Sequence, residues 1–454
     1  MCPQPCTAGL ALIYGRQGMK RNSYLWHMLL SIGTRLAMVA IRLLRNVLLA
    51  RLLGPADRGL FALLSTLPDL IAAVTSGGLN TALGYEAARQ RPMGLLLAQV
   101  LVYGCLLALL LTVIGLAVMT GVGSEWDISQ QLGPFAWLLL LAVPLTVLKS
   151  GLLTLLNADG RVGAFNVLRL LESLVPLLLF VGLWLIWRDH VLSAALASWI
   201  AGTLLVVLVG WCWLARFHQL KLRWQSKDQG ELLRYSAQSH PGVLSQQLML
   251  RSDYLFIGAL LDPTALGLYA MASAAAELLL IIPEAVTTPL MKRLLQQGEG
   301  IERLTPLALR ITATVMLCAC LSMAAIGHWL IVTLFGEAYG PAYTALLALL
   351  PGLFGLCYAS ILRLDLLGKQ RPGALSLLLA GGAILNLLLN ALLIPAMGIV
   401  GAGLASSIAY LAVSLAMLVM YCKLSGVAWY RTLVVLPEDI AHLKQLIRPK
   451  AGAC

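Results

Sequence analysis

Arginines and carboxylates recur inside stretches of this sequence that are otherwise almost purely apolar, and these are the residues equipped for chemistry. The deeper set is Arg35, Arg42, Arg45, Lys149 and Arg251, with Asp69, Glu172, Asp253, Glu277 and Glu284. At roughly 100° per residue, Arg35 and Arg42 project about 20° apart around a helix, and Arg45 about 80° from Arg35. Three guanidinium groups on one face suit bidentate recognition of phosphate, and Lys149 adds a compact point charge. A charge at the bilayer centre costs about 2.5–3.5 kcal/mol on insertion scales, so this face must line protein or a water-filled cavity. Packed ion pairs are the competing reading. Counting opposes complete pairing, because nine cations and six carboxylates lie within the apolar runs. Arg51, Arg169, Arg310, Arg363 and Asp365 fall near run ends, where long side chains can reach the interface. The pattern is that of a cationic substrate cavity.

The elements that carry these residues are transmembrane helices. Of 454 residues, 60% are hydrophobic and only 11% charged, against about 25% charged in an ordinary soluble chain. Spanning a bilayer takes about 20 mostly apolar residues. Runs at 26–52, 59–83, 94–120, 134–157, 164–187 and 192–215 are followed by others at 235–260, 267–290, 304–335, 342–367, 373–395 and 400–422. The expected fold is an all-α polytopic membrane protein of about twelve helices. Two bundles, 26–215 and 235–422, are joined by a basic linker at 216–234, with an N-terminal segment at 1–25 and a tail at 423–454. Met19-Lys20-Arg21 resembles an alternative start, which leaves residues 1–18 open as native sequence. With the N-terminus cytoplasmic, the tails and even-numbered loops hold 21 Lys/Arg and the odd-numbered loops two, Arg58 and Arg188. The positive-inside rule then places both termini in the cytoplasm. The net charge of +12 follows these connections and forms no nucleic-acid module; the linker suits anionic membrane lipid.

The halves repeat. Pro55, Gly59, Phe61 and Ala62 match Pro263, Gly267, Tyr269 and Ala270 at an offset of 208. An even number of spans per half gives both repeats one direction, as in transporters with parallel repeats around a central cleft. The same offset relates Arg45 to Asp253 and Asp69 to Glu277. Arg45 and Asp253 could form a gate that breaks in one state, or a permanent structural pair. Asp69 and Glu277 are candidates for H+ or Na+ coupling, since desolvation raises the pKa of an acid; pairing with Arg42 or Lys149 is the simpler alternative. No enzyme constellation and no metal or organic cofactor site is expected. The six histidines are scattered, and neither a phosphate loop nor a zinc motif is present.

The stretch Leu48 to Ala62, LLARLLGPADRGLFA, resembles the first-loop signature of the polysaccharide-biosynthesis flippases, within the multidrug/oligosaccharidyl-lipid/polysaccharide exporter superfamily. Arg251-Ser-Asp-Tyr-Leu-Phe-Ile-Gly-Ala-Leu-Leu resembles that family's seventh span, and Leu367-Gly-Lys-Gln-Arg with Leu385-Asn-Leu-Leu-Leu-Asn its eleventh-span region. The resemblance implies a carrier of lipid-linked oligosaccharide in a bacterial inner membrane. Its substrate would be undecaprenyl-diphosphate-linked and its partners glycan-assembly proteins. The rivals are a cation-coupled drug antiporter of the same fold, which an acid-rich cavity would favour, and a membrane glycan polymerase or ligase. The second rival needs a larger outer loop than the connection at 121–133.

Overall fold

In hydrocarbon, backbone N–H and C=O groups must be satisfied within the protein, which leaves helices or closed barrels. Leu and Ala at this density select helices. The computed structural model describes residues 21–120, 133–218, 229–284, 286–287, 301–369 and 371–432, and among them no strand occurs. The N-terminal segment before residue 21, most of the connection at 121–133, the linker core at 219–228 and the tail beyond Thr432 lie outside the described residues, as does the side chain of Arg35.

Two compact units divide the chain, Met1–Leu244 and Ser245–Cys454. The first opens with α1 (Arg21–Ala88), broken at Gly54, whose φ of 73° only glycine adopts readily. The break separates limbs 21–53 and 55–88, with Pro55 starting the second. α2 (93–120) contains a π-helical turn at Val100–Cys105. α3 (Leu138–Ala158), α4 (Val162–Ile186) and α5 (Val191–His218) complete the unit, with α1 packed chiefly on α3 and α4 on α5.

The second unit repeats the plan. α6 (Gln229–Leu260) leads to α7 (Pro263–Glu277), which continues to 284, then α8 (Ile301–Phe335), α9 (Ala342–Gly368) and α10 (Pro372–Ser425). α10 is itself broken at Gly398, so each half contributes six long helical segments among the described residues. The turn equivalent to Gly54-Pro55 is closed here by other chemistry: Asp262 caps α7 by accepting from the Ala265 N–H at 2.7 Å. Met249, Leu309, Leu362, Leu375, Tyr410 and Met417 meet in the core of the unit. Past α10 the chain is tied down, with Arg310 donating to the Arg431 carbonyl at 2.7 Å and Tyr358 to that of Thr432 at 2.5 Å.

Eight described helices are long and apolar enough to cross a membrane. α1 and α6, which carry Arg42, Arg45, Arg58 and Arg251, are not among those eight. The chain is a multi-pass helical membrane protein. One boundary differs from expectation: α6 begins at Gln229, inside the stretch taken as linker, and the division between units falls within it at Leu244. Its polar start is held on the end of α1. Tyr85 stacks on Tyr235 with ring centroids 4.9 Å apart, Arg89 pairs with Glu231 at 3.3 Å, and the Gly78 N–H donates to His240 Nδ1 at 3.4 Å.

Candidate functional site

The first unit gathers five cations and two carboxylates from α1, α3 and α4. Arg42 and Arg45 stand on the first limb of α1, Arg58 and Asp69 on the second, Lys149 in the middle of α3, and Arg169 with Glu172 on α4. Lys149 Nζ meets Glu172 Oε1 at 2.9 Å, with side chains 15% and 24% exposed. Arg42 and Asp69 lie within electrostatic reach of Lys149. Glu172 also faces Arg169 and Arg42, and Arg45 faces Arg58, Arg42 and Glu172. The Nε of Arg45 is buried without a hydrogen-bond partner among the described residues. The same side chain borders a small cavity with Leu49, Phe61, Pro176, Phe180 and Trp199.

Backbone geometry sets this arrangement. Two residues beyond Lys149, a Cβ on Gly151 would come within 2.7 Å of Val100 Cγ1, so only glycine lets α3 approach α2 this closely. The break at Gly54 lets the second limb of α1 bring Arg58 back toward the first. Arg58 Nη2 donates to Asn46 Oδ1 at 3.3 Å, its guanidinium lies over the Phe61 ring at 5.4 Å, and the residue is 6% exposed. Arg58, counted in an outer connection on the sequence, follows the Gly54 break by four residues and joins this cluster. Helical periodicity could not find it, because the contact with Asn46 crosses a break; the Gly54-Pro55 pair was the available signal.

The second unit holds a separate set. Arg251 pairs with Glu277 at 3.0 Å, within the second unit. Arg251 also lies over the Tyr254 ring. Asp253, 3% exposed, accepts from the Tyr254 N–H at 3.0 Å and from the Tyr269 hydroxyl. Beside them Ser252 Oγ donates to Asn386 Oδ1 at 2.8 Å, and Asn390 Nδ2 donates to the same oxygen at 3.1 Å, all three residues being 0% exposed. Of the expected site residues, Arg42, Arg45, Lys149 and Asp69 thus come together in the first unit. Arg251, Asp253 and Glu277 belong to the second. The asparagines and Tyr269 had been noticed only as parts of a repeat or a family-like motif.

Among solved structures the chain is similar to the lipid II flippase MurJ in an inward closed conformation, with a TM-score of 0.72 and 15% identity over 86% of this chain and 87% of that one. It is also similar to a MOP superfamily transporter from Pyrococcus furiosus, with a TM-score of 0.62 and 15% identity over 93% and 99% of the two chains. The Vibrio cholerae MATE transporter VcmN in its bent form gives 0.56 and 15% over 94% and 99%. At such identity these likenesses speak for the fold, and one fold hosts several functions. No curated protein matches the sequence. The polysaccharide biosynthesis protein family, however, matches residues 48–344, well over half of the chain. With that match, and with the fold to go with it, this chain belongs to the polysaccharide biosynthesis protein family.

Proposed function

We propose that the chain is a flippase that carries lipid-diphosphate-linked glycan precursors outward across a bacterial inner membrane by alternating access. The observation that carries this reading is the excess of cations over carboxylates among Arg42, Arg45, Arg58, Lys149, Arg169, Asp69 and Glu172 in the first unit. Desolvated guanidinium groups are the side chains best suited to a diphosphate. Arg42 and Arg45, with Arg35 on the same limb, would bind it and Lys149 would assist; Arg251 is the second unit's candidate for the same chemistry. The glycan would travel in water and the polyprenyl tail in lipid, with undecaprenyl diphosphate the carrier this reading implies. H+ or Na+ coupling through Asp69 or Glu277 would supply direction. A drug antiporter on the same fold would need the opposite charge balance. No catalytic step is part of this reading.

The test is translocation of defined lipid diphosphates in proteoliposomes. Arg42→Ala and Arg45→Ala should each abolish it while abundance and membrane insertion hold. Lysine at either position should restore only part, because the bidentate geometry is lost. Normal translocation with both arginines neutralised would refute the assignment.

A further inference from the structure

We infer that Glu172 is a resident counter-anion that an incoming diphosphate must displace from Lys149, and that it sets both the strength and the selectivity of anion binding in the first unit. The inference rests on the reading of this cluster as an anion site. A structural ion pair needs one partner of each sign. Glu172 instead faces four cations: Lys149 at 2.9 Å, and Arg169, Arg42 and Arg45 within electrostatic reach. Asp69 is the second carboxylate facing Lys149. Both members of the close pair keep some exposure, 15% for Lys149 and 24% for Glu172, so a ligand can reach them.

The position of Glu172 matches the kind of charge a substrate brings. When phosphate oxygens take over Lys149, the displaced carboxylate remains among the same cations and competes with the ligand for them. A ligand with a single negative charge gains little, since it only replaces the charge already there. A diphosphate brings further charge and more acceptor oxygens, and it neutralises the arginines that Glu172 leaves unsatisfied. The same competition weakens the final complex, which favours release. A carrier needs that release, because binding that is too tight stops turnover. Glu172 therefore acts through Lys149 and the arginines, as a positioning and selectivity residue.

Inorganic pyrophosphate and orthophosphate, titrated calorimetrically into the full-length chain in lipid nanodiscs, separate the possibilities. Glu172→Gln should bind pyrophosphate about tenfold more tightly than the unaltered chain, on the scale of one close charge coupling. It should gain still more for orthophosphate, so that discrimination narrows. Glu172→Asp should restore the original preference. In proteoliposomes the Gln variant should show a lower KM together with a lower kcat, a split that loss of structure does not produce. On a Lys149→Met background the gain from Glu172→Gln should fall to about two- to threefold, because the displaced partner is gone while Glu172 still competes for the arginines. Unchanged or weaker pyrophosphate binding by Glu172→Gln, at the original thermal midpoint, would overturn the inference while leaving the anion site standing. Should that variant fail to fold, Lys149→Met with Glu172→Gln, which leaves neither charge unpaired, is compared with Lys149→Met alone. Tighter binding by the double variant supports the inference, and equal binding overturns it. Failure of the unaltered chain to bind pyrophosphate would overturn the anion-site reading and this inference together.

Discussion

Arg58 shows what a single residue does when a helix breaks. Its guanidinium is buried against Phe61 with Asn46 as an acceptor, close to Arg45, a charge of the same sign. The hydrogen bond to Asn46 helps to keep that unfavourable neighbour in place. Asn46→Leu should destabilise the first unit by about 1–3 kcal/mol, the usual consequence of removing one partner of a buried polar group. Thermal unfolding in detergent would measure it, and an unchanged midpoint would show that Asn46 contributes nothing. Most members of this cluster stood out in the sequence by residue type, because charges are rare in apolar runs. It could not assign partners. Lys149 and Glu172 lie on different helices, and their 2.9 Å pairing depends on how α3 and α4 pack. The pairing of Arg251 with Glu277 likewise joins two helices, α6 and α7, and depends on their packing.

At the scale of elements, apolar runs and Gly-Pro turns read well, and packing-dependent features did not. The breaks at Gly54 and Gly398 fall where the span boundaries were expected. The π-helical turn at Val100–Cys105 left no sign in the apolar pattern, since its residues are as hydrophobic as those around them. The start of α6 was also hidden. Gln229 to Ser239 has no apolar stripe, and the contacts of Tyr235 and Glu231 with α1 hold it. A close approach makes a sharper prediction. Gly151→Leu forces a side chain into Val100, and such overpacking typically costs about 1–3 kcal/mol. Because Lys149 lies on the same helix, transport should fall further than stability does. Pairing it with Val100→Ala, which opens space at the contact, should recover both. Failure of that pairing, measured by unfolding and by translocation, would place the damage elsewhere.

For the whole molecule, the charge asymmetry of the connections makes the orientation testable. Cysteines placed at 188–191 should label from outside intact cells, and those at 216–234 only after permeabilisation. The reverse pattern would overturn the outward direction proposed for transport. The polar contact between Ser252 and Asn386 bears on how the protein is made. The two residues are separated by 134 positions, and each is fully buried in the finished second unit. A ribosome adding about 5–20 residues per second needs on the order of ten seconds to cover that distance. During that time Ser252 has entered the membrane and its asparagine partners have not been synthesised. The second unit is thus completed by its last hairpin, and a chain stalled before α10 would present unsatisfied polar groups to lipid and to the proteases that survey it.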